Sequence, residues 1–215
     1  MPRSNDYFSN HSKVRRFPWR LYHDPIESDL LSFIRRASQK EGGADVLVIG
    51  CGLMQELEHF PKSLRITAID IDDRAVQALA SAGDSRIKHC QTVDGSTDLT
   101  TLGEFDAIYA KEVIEHILTP HEYLVQLHSL LRPQGRLWLS TPNYGEPWLP
   151  LVESTFLELV ARRSGFTRKG IHPTPFSRRR LANALENAGF VDVEAKTVAF
   201  RLALIGEGSK AGPVG

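Results

Sequence analysis

A chain of 215 residues with 26 basic and 26 acidic side chains carries no net charge, so nothing in its overall electrostatics favours nucleic acid or an anionic surface. That length holds one domain with a proper core, and 41% hydrophobic and 24% charged residues are ordinary for a globular protein. Two cysteines, Cys51 and Cys90, make no disulfide framework; no apolar run reaches membrane-spanning length and Met1 to Asp6 lacks a signal peptide's core, so a reducing, cytoplasmic setting is expected.

The first twenty residues bear Arg3, Lys13, Arg15, Arg16 and Arg20 against Asp6 alone, and residues 1 to about 24 read as a loosely structured arm. Pro25, behind Asp24 as N-cap, opens a predicted helix whose apolar positions are Ile26, Leu30, Leu31 and Ile34. Val46 to Ile49 is a first strand, followed by a short helix lined by Leu53, Leu57 and Phe60 that ends before Pro61. Arg65 to Ile69 is a second strand, and Asp72 or Asp73 caps a helix with Ala75, Val76, Leu79 and Ala80 inward. Arg86 to Gln91 and Phe105 to Ala110 are the third and fourth strands. Thr119-Pro120-His121-Glu122 has the form of a capping box with proline at the first helical position. That helix continues through Leu124, Leu127, Leu130 and Leu131, to end at Arg132-Pro133-Gln134-Gly135.

A fifth strand spans Arg136 to Thr141. The stretch from Pro142 to Pro175 holds an inner helix near Leu151 to Arg162, and its end is basic: Arg162, Arg163, Arg168, Lys169, Arg178, Arg179 and Arg180 occur with no acid between them. Such an excess attracts anions or simply solvates a surface. Ser177 caps a further helix that Gly189 terminates, and Val191 to about Ile205 offers two closing strands. The last ten residues, rich in Gly, Ser and Pro, read as a disordered tail. Strands alternating with helices predict a parallel sheet covered on both faces, and the final strand pair predicts an antiparallel closure.

The chemistry sits where Val46-Leu47-Val48-Ile49 empties into Gly50-Cys51-Gly52, and where a second strand ends about 20 residues on at Asp70. Glycines at 50 and 52 permit a sharp turn and let backbone N–H groups approach a ligand. A carboxylate at 70 can accept both hydroxyls of a ribose. The pattern points to a nucleoside ligand without naming it.

With these motifs in order, together with Glu112-Val113-Ile114-Glu115-His116, Leu131-Arg132-Pro133-Gln134-Gly135, Ser140-Thr141-Pro142-Asn143 and Ala188-Gly189-Phe190, residues 44 to 200 resemble the class I S-adenosylmethionine-dependent methyltransferases. The branch they resemble most includes the ubiquinone-biosynthesis-type O-methyltransferases. The resemblance implies an α/β, three-layer Rossmann-like fold with a seven-stranded, mostly parallel sheet and an antiparallel closing strand. Residues 1–40 would form an arm and helix capping the site, 41–205 the methyltransferase domain with a substrate-capping insertion near 143–175, and 206–215 the tail.

It implies S-adenosyl-L-methionine as cofactor, with Gly50, Cys51 and Gly52 at its methionine part and Asp70 on the ribose hydroxyls. Ile71 lies beside that acid, Val93 or Asp94 meets the adenine, with Asp94 preferred, and Lys111 and Glu112 flank the sulfonium. Two positions depart from the family's pattern: Val48 stands where an acid is usual, and Met54 where a third glycine is. Met54 places a long side chain where the backbone normally approaches the cofactor.

Methyl transfer is an in-line displacement, so alignment of nucleophile and methyl carbon matters most. His116, just beyond the fourth strand, is the candidate base for a hydroxyl acceptor, or else packs in the helix it begins. His121 and His128 read as surface residues. Tyr22, His23, Tyr144, Trp148, Phe156 and Phe166 offer aromatic surface to a small-molecule acceptor, Arg168, Lys169 and His172 an anionic contact, and Tyr22, His23, Tyr144 and His172 are the chosen substrate-binding residues; a self-packed hydrophobic cap is the plainer alternative. The expectation is O-methylation of a small molecule, with no metal. A metal-assisted RNA 2′-O-methyltransferase using Glu112, Glu115, His116 and His172, and a non-catalytic binding module on the same fold, are its rivals.

Overall fold

The computed structural model describes residues 20–94, 97–146 and 173–212. Seven strands form one sheet in the order β3-β2-β1-β4-β5-β7-β6: β1 (Asp45–Ile49), β2 (Arg65–Asp70), β3 (Ile87–Thr92), β4 (Phe105–Lys111), β5 (Leu131–Pro142), β6 (Val191–Val198) and β7 (Ala203–Ser209). The first five are parallel. Strand β7 runs antiparallel to β5 and to β6, the closure expected of two strands joined without a helix.

Both faces of the sheet are covered. Along β1, Val46 and Val48 enter one apolar cluster and Leu47 and Ile49 the other, so a strand buried on both sides reads as an unbroken apolar run. On the first face lie α1 (Arg20–Ala37), a 3₁₀ helix at Gln55–His59 and Leu79 of α2 (Asp73–Ser81). On the second lie α3 (Pro120–Ser129) and α4 (Arg178–Asn187). Asp72 caps α2 by accepting from the Arg74 amide, and Ser177 caps α4 by accepting from that of Arg180, while Gly189 ends α4 at φ +95°. Ala80, expected to face inward, is exposed.

Four expectations change. Helix α1 is already helical at Arg20, with Pro25 inside it. The amide that proline lacks costs one helical hydrogen bond, and the buried stripe of Ile26, Leu30, Phe33 and Ile34 with the Arg20–Asp24 ion pair one turn apart holds the helix through it. Helix α3 ends at Ser129, two residues short of the Leu131 that helical spacing of Leu127, Leu130 and Leu131 suggests, and Leu131, opposite Phe105, already opens β5, five residues before the expected Arg136. Thr119 precedes α3 without a side-chain cap bond, so the capping box does not close.

Finally, β7 carries the sheet through Ser209, beyond the expected end of the ordered domain at 205. Its glycines serve close packing: a Cβ on Gly206 would lie 3.1 Å from Leu181 Cδ2 and from Leu185 Cδ1, and one on Gly208 2.9 Å from Phe190 Cβ. The inner helix expected near Leu151 to Arg162 lies outside the described residues, as does most of the arm.

Candidate functional site

The carboxyl ends of β1, β2, β4 and β5 form one rim, and the residues just beyond them carry most of the predicted site. Gly50 and Gly52 take φ of +68° and +50°, the left-handed region where a Cβ is costly. Position 50 admits no side chain for a second reason: a Cβ there would lie 2.6 Å from Val113 Cγ2. The three loop amides are already bonded inside the protein. Those of Gly50 and Cys51 donate to the Ile69 carbonyl at 2.9 and 3.2 Å, and that of Gly52 to Asp70 Oδ2 at 2.8 Å. The glycines therefore shape the turn and fix the acid, rather than presenting free N–H groups as their sequence suggests.

Asp70 is the last residue of β2. Its second oxygen accepts from the Asp72 amide at 2.9 Å, so both oxygens are oriented by backbone while each keeps further accepting capacity. The next residue, Ile71, is 81% exposed, an apolar surface beside a fixed carboxylate, which suits a nucleoside's sugar and base. Val93 bonds its amide to the Asp70 carbonyl at 2.9 Å and is partly buried. Asp94 is exposed and accepts from the Thr97 hydroxyl at 3.0 Å. The Cys51 side chain is buried in the core, where burial and then the Asp70 charge push its thiol up to about 12; only its backbone faces the loop.

The two departures from the glycine-loop pattern are absorbed by packing. Met54 is 4% exposed and belongs to the first-face core. It takes φ +43°, the backbone of a glycine with the side chain of a core residue. Val48 is fully buried and pairs with Tyr109 of β4. A buried acid stands nearby in the chain: Glu56, in the 3₁₀ helix, accepts from Tyr109 Oη at 3.2 Å and from Lys111 Nζ at 2.8 Å. Burial pushes the Glu56 carboxyl up, but the Lys111 charge and its hydrogen bond outweigh that and hold it below the ordinary range. Sequence reasoning missed Glu56: it lies in the largely polar run Gln55–His59, and only its place four residues before the buried Phe60 hints that it turns inward.

Beyond β4 the chain bends through Glu112 at φ +56°, a strained angle for a residue with a side chain. The Glu112 amide donates to the Ser140 carbonyl and hydroxyl, both at 3.2 Å. Its carboxylate accepts from Tyr22 Oη at 2.9 Å and from Ser140 Oγ at 3.0 Å. Burial first, and then the Glu112 charge, raise the Tyr22 phenol well above its ordinary value, so it remains a donor. The His23 ring meets Tyr22 edge to face at 4.9 Å. Glu115 is 1% exposed and accepts from Thr141 Oγ1 at 3.0 Å. His116 Nε2 is 4.0 Å from Glu115 Oε1, with 44% of its side chain exposed, so it neither packs into the core nor starts α3; it closes a 3₁₀ turn at Ile114–His116.

The rim thus gathers Gly50, Cys51, Gly52, Asp70, Ile71, Lys111, Glu112 and Tyr22. Tyr144 is half-buried beyond β5, its amide bonded to the Phe176 carbonyl at 2.8 Å. His172 lies outside the described residues, with Trp148, Phe156, Phe166, Arg168 and Lys169. Among the described residues no three His, Cys, Asp or Glu side chains gather as metal ligands. His121 stands in the first turn of α3. It lines a cavity of about 460 Å³ between α3 and α4, with Phe176, Arg179, Arg180 and Asn183, the only charged stretch of the basic run that the structure describes.

Residues 22–195 match a family model described as a methyltransferase domain. The ubiquinone biosynthesis O-methyltransferase of Xanthomonas axonopodis pv. citri (strain 306) is 33% identical over 126 residues, 56% of this chain and 50% of that one. The mitochondrial enzyme of the same name from Schizosaccharomyces pombe (strain 972 / ATCC 24843) is 30% identical over 134 residues, 57% and 47% of the two chains. The chain thus spans about half the length of the curated relatives it matches. Among solved structures, the CurJ carbon methyltransferase superposes with a TM-score of 0.70 at 18% identity, covering 95% of this chain and 58% of that one. The [4+2]-cyclase SpnF gives 0.61 at 17% identity, over 86% and 80%. The N-terminal domain of EvdMO1, crystallised in the presence of SAH and D-fucose, gives 0.59 at 18%, over 86% and 82%. These structures share the fold, and with the family match over most of the sequence the conclusion is plain: the chain belongs to the methyltransferase-domain family.

Proposed function

We propose that this protein transfers a methyl group from S-adenosyl-L-methionine to an oxygen of a small-molecule acceptor. One observation carries the reading: a carboxylate at the end of β2, oriented by the Gly52 and Asp72 amides, lies beside two left-handed glycines and an exposed isoleucine. A cyclase shares the fold, so it is these residues and not the architecture that point to methyl transfer. Asp70 would take the ribose hydroxyls and Ile71 one face of the adenine, with Asp94 within reach of its amino group. Gly50 to Gly52 would hold the methionine tail, and Lys111 and Glu112 the neighbourhood of the reacting carbon. The bound cofactor supplies an electrophilic methyl group.

The protein's own contribution is placement. Tyr22 ties the first turn of α1 to Glu112, which closes that side of the rim over the reacting centre. An acceptor would enter between α1 and the end of β5, past Tyr22, His23 and Tyr144. His116, an exposed imidazole just beyond β4, would take the hydroxyl proton. The metal-assisted RNA reading is not favoured, since the carboxylates of Glu112 and Glu115 already accept hydroxyls of this chain.

Calorimetric titration with S-adenosylhomocysteine tests the reading. Wild-type protein should bind it, and Asp70→Ala should weaken binding by roughly 1.5–3 kcal/mol, the loss expected for hydrogen bonds to a charged group. An unchanged affinity removes Asp70 from the site.

A further inference from the structure

Lys111 poses an electrostatic difficulty for the function proposed above. It is the last residue of β4, one place beyond Ala110, which pairs with Ile49 at the foot of the glycine loop. It therefore brings a fixed positive charge to the rim where a sulfonium would have to sit, and two cations a few ångströms apart repel by an amount that matters in a partly desolvated site. The structure also shows what offsets that charge. Glu56 is 3% exposed, a degree of burial at which an ionised carboxylate is costly without a partner. It meets the Lys111 ammonium at 2.8 Å, and the Tyr109 hydroxyl secures its other oxygen at 3.2 Å. Lys111 itself keeps 30% of its side chain exposed, on the solvent side of the pair.

We propose that Glu56 neutralises Lys111 so that the rim accepts a cationic sulfonium, making this buried pair the determinant of how the protein ranks the charged cofactor against its neutral thioether product. The inference rests on the methyltransferase reading. It assigns Glu56 the role of a positioning and charge-balancing residue, not a catalytic one. It also explains why a buried acid stands in the 3₁₀ helix of a loop whose usual acid, at position 48, is valine.

The test compares two ligands that differ in one methyl group and one charge. Dissociation constants for S-adenosylmethionine and S-adenosylhomocysteine are measured by calorimetry on the full chain and on Glu56→Gln, Lys111→Met and the double variant. Glu56→Gln should weaken the sulfonium about tenfold more than the thioether, because the lysine is left uncompensated. Lys111→Met leaves the Glu56 carboxyl without its cation, so it ionises only as pH is raised, and the ratio should then move the other way; the double variant, with neither charge, should keep the wild-type ratio at every pH. A purely structural pair would weaken both ligands equally in every variant, and that result overturns the inference while leaving the cofactor reading intact. Should Glu56→Gln fail to fold, the opposite displacement in Lys111→Met and the restored ratio in the double variant still decide it. Wild-type protein that binds neither ligand refutes the cofactor reading and this inference together.

Discussion

The two ends of the sheet use charge differently. At the amino ends of the strands acids are met by cations: Asp45 by Arg65 and Arg132, and Asp106 by Arg132 and Lys40, with the Asp45 amide closing the circuit onto Asp106 at 2.9 Å. At the carboxyl rim, the Glu56–Lys111 pair apart, Asp70 is oriented by two backbone amides, and Glu112 and Glu115 accept from hydroxyls of Tyr22, Ser140 and Thr141. The first arrangement cancels charge and joins β1, β2, β4 and β5 where no ligand is expected. The second aims carboxylates while leaving their lone pairs to serve a partner. Left-handed backbone occurs at both ends, at Gly50, Gly52, Met54 and Glu112 of the rim and at Gly42, Gly43 and Gln134 of the amino edge, so it is the handling of charge that separates them.

The largest effect that sharpens this contrast is expected at Gly50. Gly50→Ala must hold a Cβ at φ +68° and within 2.6 Å of Val113 Cγ2. Left-handed strain and overpacking together should cost roughly 2–4 kcal/mol of stability, read as a lower denaturant midpoint. Binding of S-adenosylhomocysteine should fall with it, because the turn also orients Asp70 through the Gly52 amide. A stable Gly50→Ala protein with full affinity would show that the loop tolerates side chains and is no cradle.

How much of this was legible follows from how far apart the bonded residues stand. The glycine loop and Asp70 are separated by 18 residues, a 3₁₀ helix and the strand that Asp70 ends, so local pattern and spacing are enough to bring them out. The Tyr22–Glu112 bond crosses 90 residues and the Lys111–Glu56 bond 55, and no periodicity joins such partners. Tyr22 was singled out for its aromatic ring, whereas its hydroxyl is what ties α1 to the rim. Glu56, with Glu58 beside it in a short polar helix, reads as solvated surface. The same reasoning took Gly206 and Gly208 for a flexible tail, when they are the positions at which α4 presses on β7. Glycine marks freedom and close approach with the same letter, and only the neighbouring element tells which.

A middle-sized effect should separate the two ends. Arg132→Met removes the guanidinium that donates to both Asp45 and Asp106 at 2.8 Å and leaves two neighbouring carboxylates facing each other. Arg132 is about one-third exposed, so solvent screens part of the loss, and destabilisation of about 1–2 kcal/mol is expected. Affinity for S-adenosylhomocysteine should stay at the wild-type value, since the substitution lies at the opposite end of the strands. A weakened affinity in a well-folded Arg132→Met protein would mean that the ends are coupled through β1 and β4, and the division drawn above would fall.

The smallest effect is a titration of the amino edge. The Asp45 carboxyl is held below its usual range chiefly by the Arg65 hydrogen bond, against burial and with help from Arg132. For Asp106 burial pushes upward, yet Lys40, the Asp45 amide and Arg132 together bring it down. A carboxyl whose folded value lies below its unfolded one binds its proton more readily when unfolded. Its stabilisation is therefore complete above the unfolded value, about 3.9, and fades as pH falls through the folded value. Thermal midpoints should accordingly be insensitive to these two groups above about pH 5 and decline below about pH 4. Asp45→Asn should blunt that decline, because an amide has no proton to gain, while lowering the midpoint at neutral pH through the lost Arg65 and Arg132 pairs. If the acid limb is equally steep with and without Asp45, the edge network contributes nothing that protonation can remove, and its ion pairs are contacts without consequence for stability.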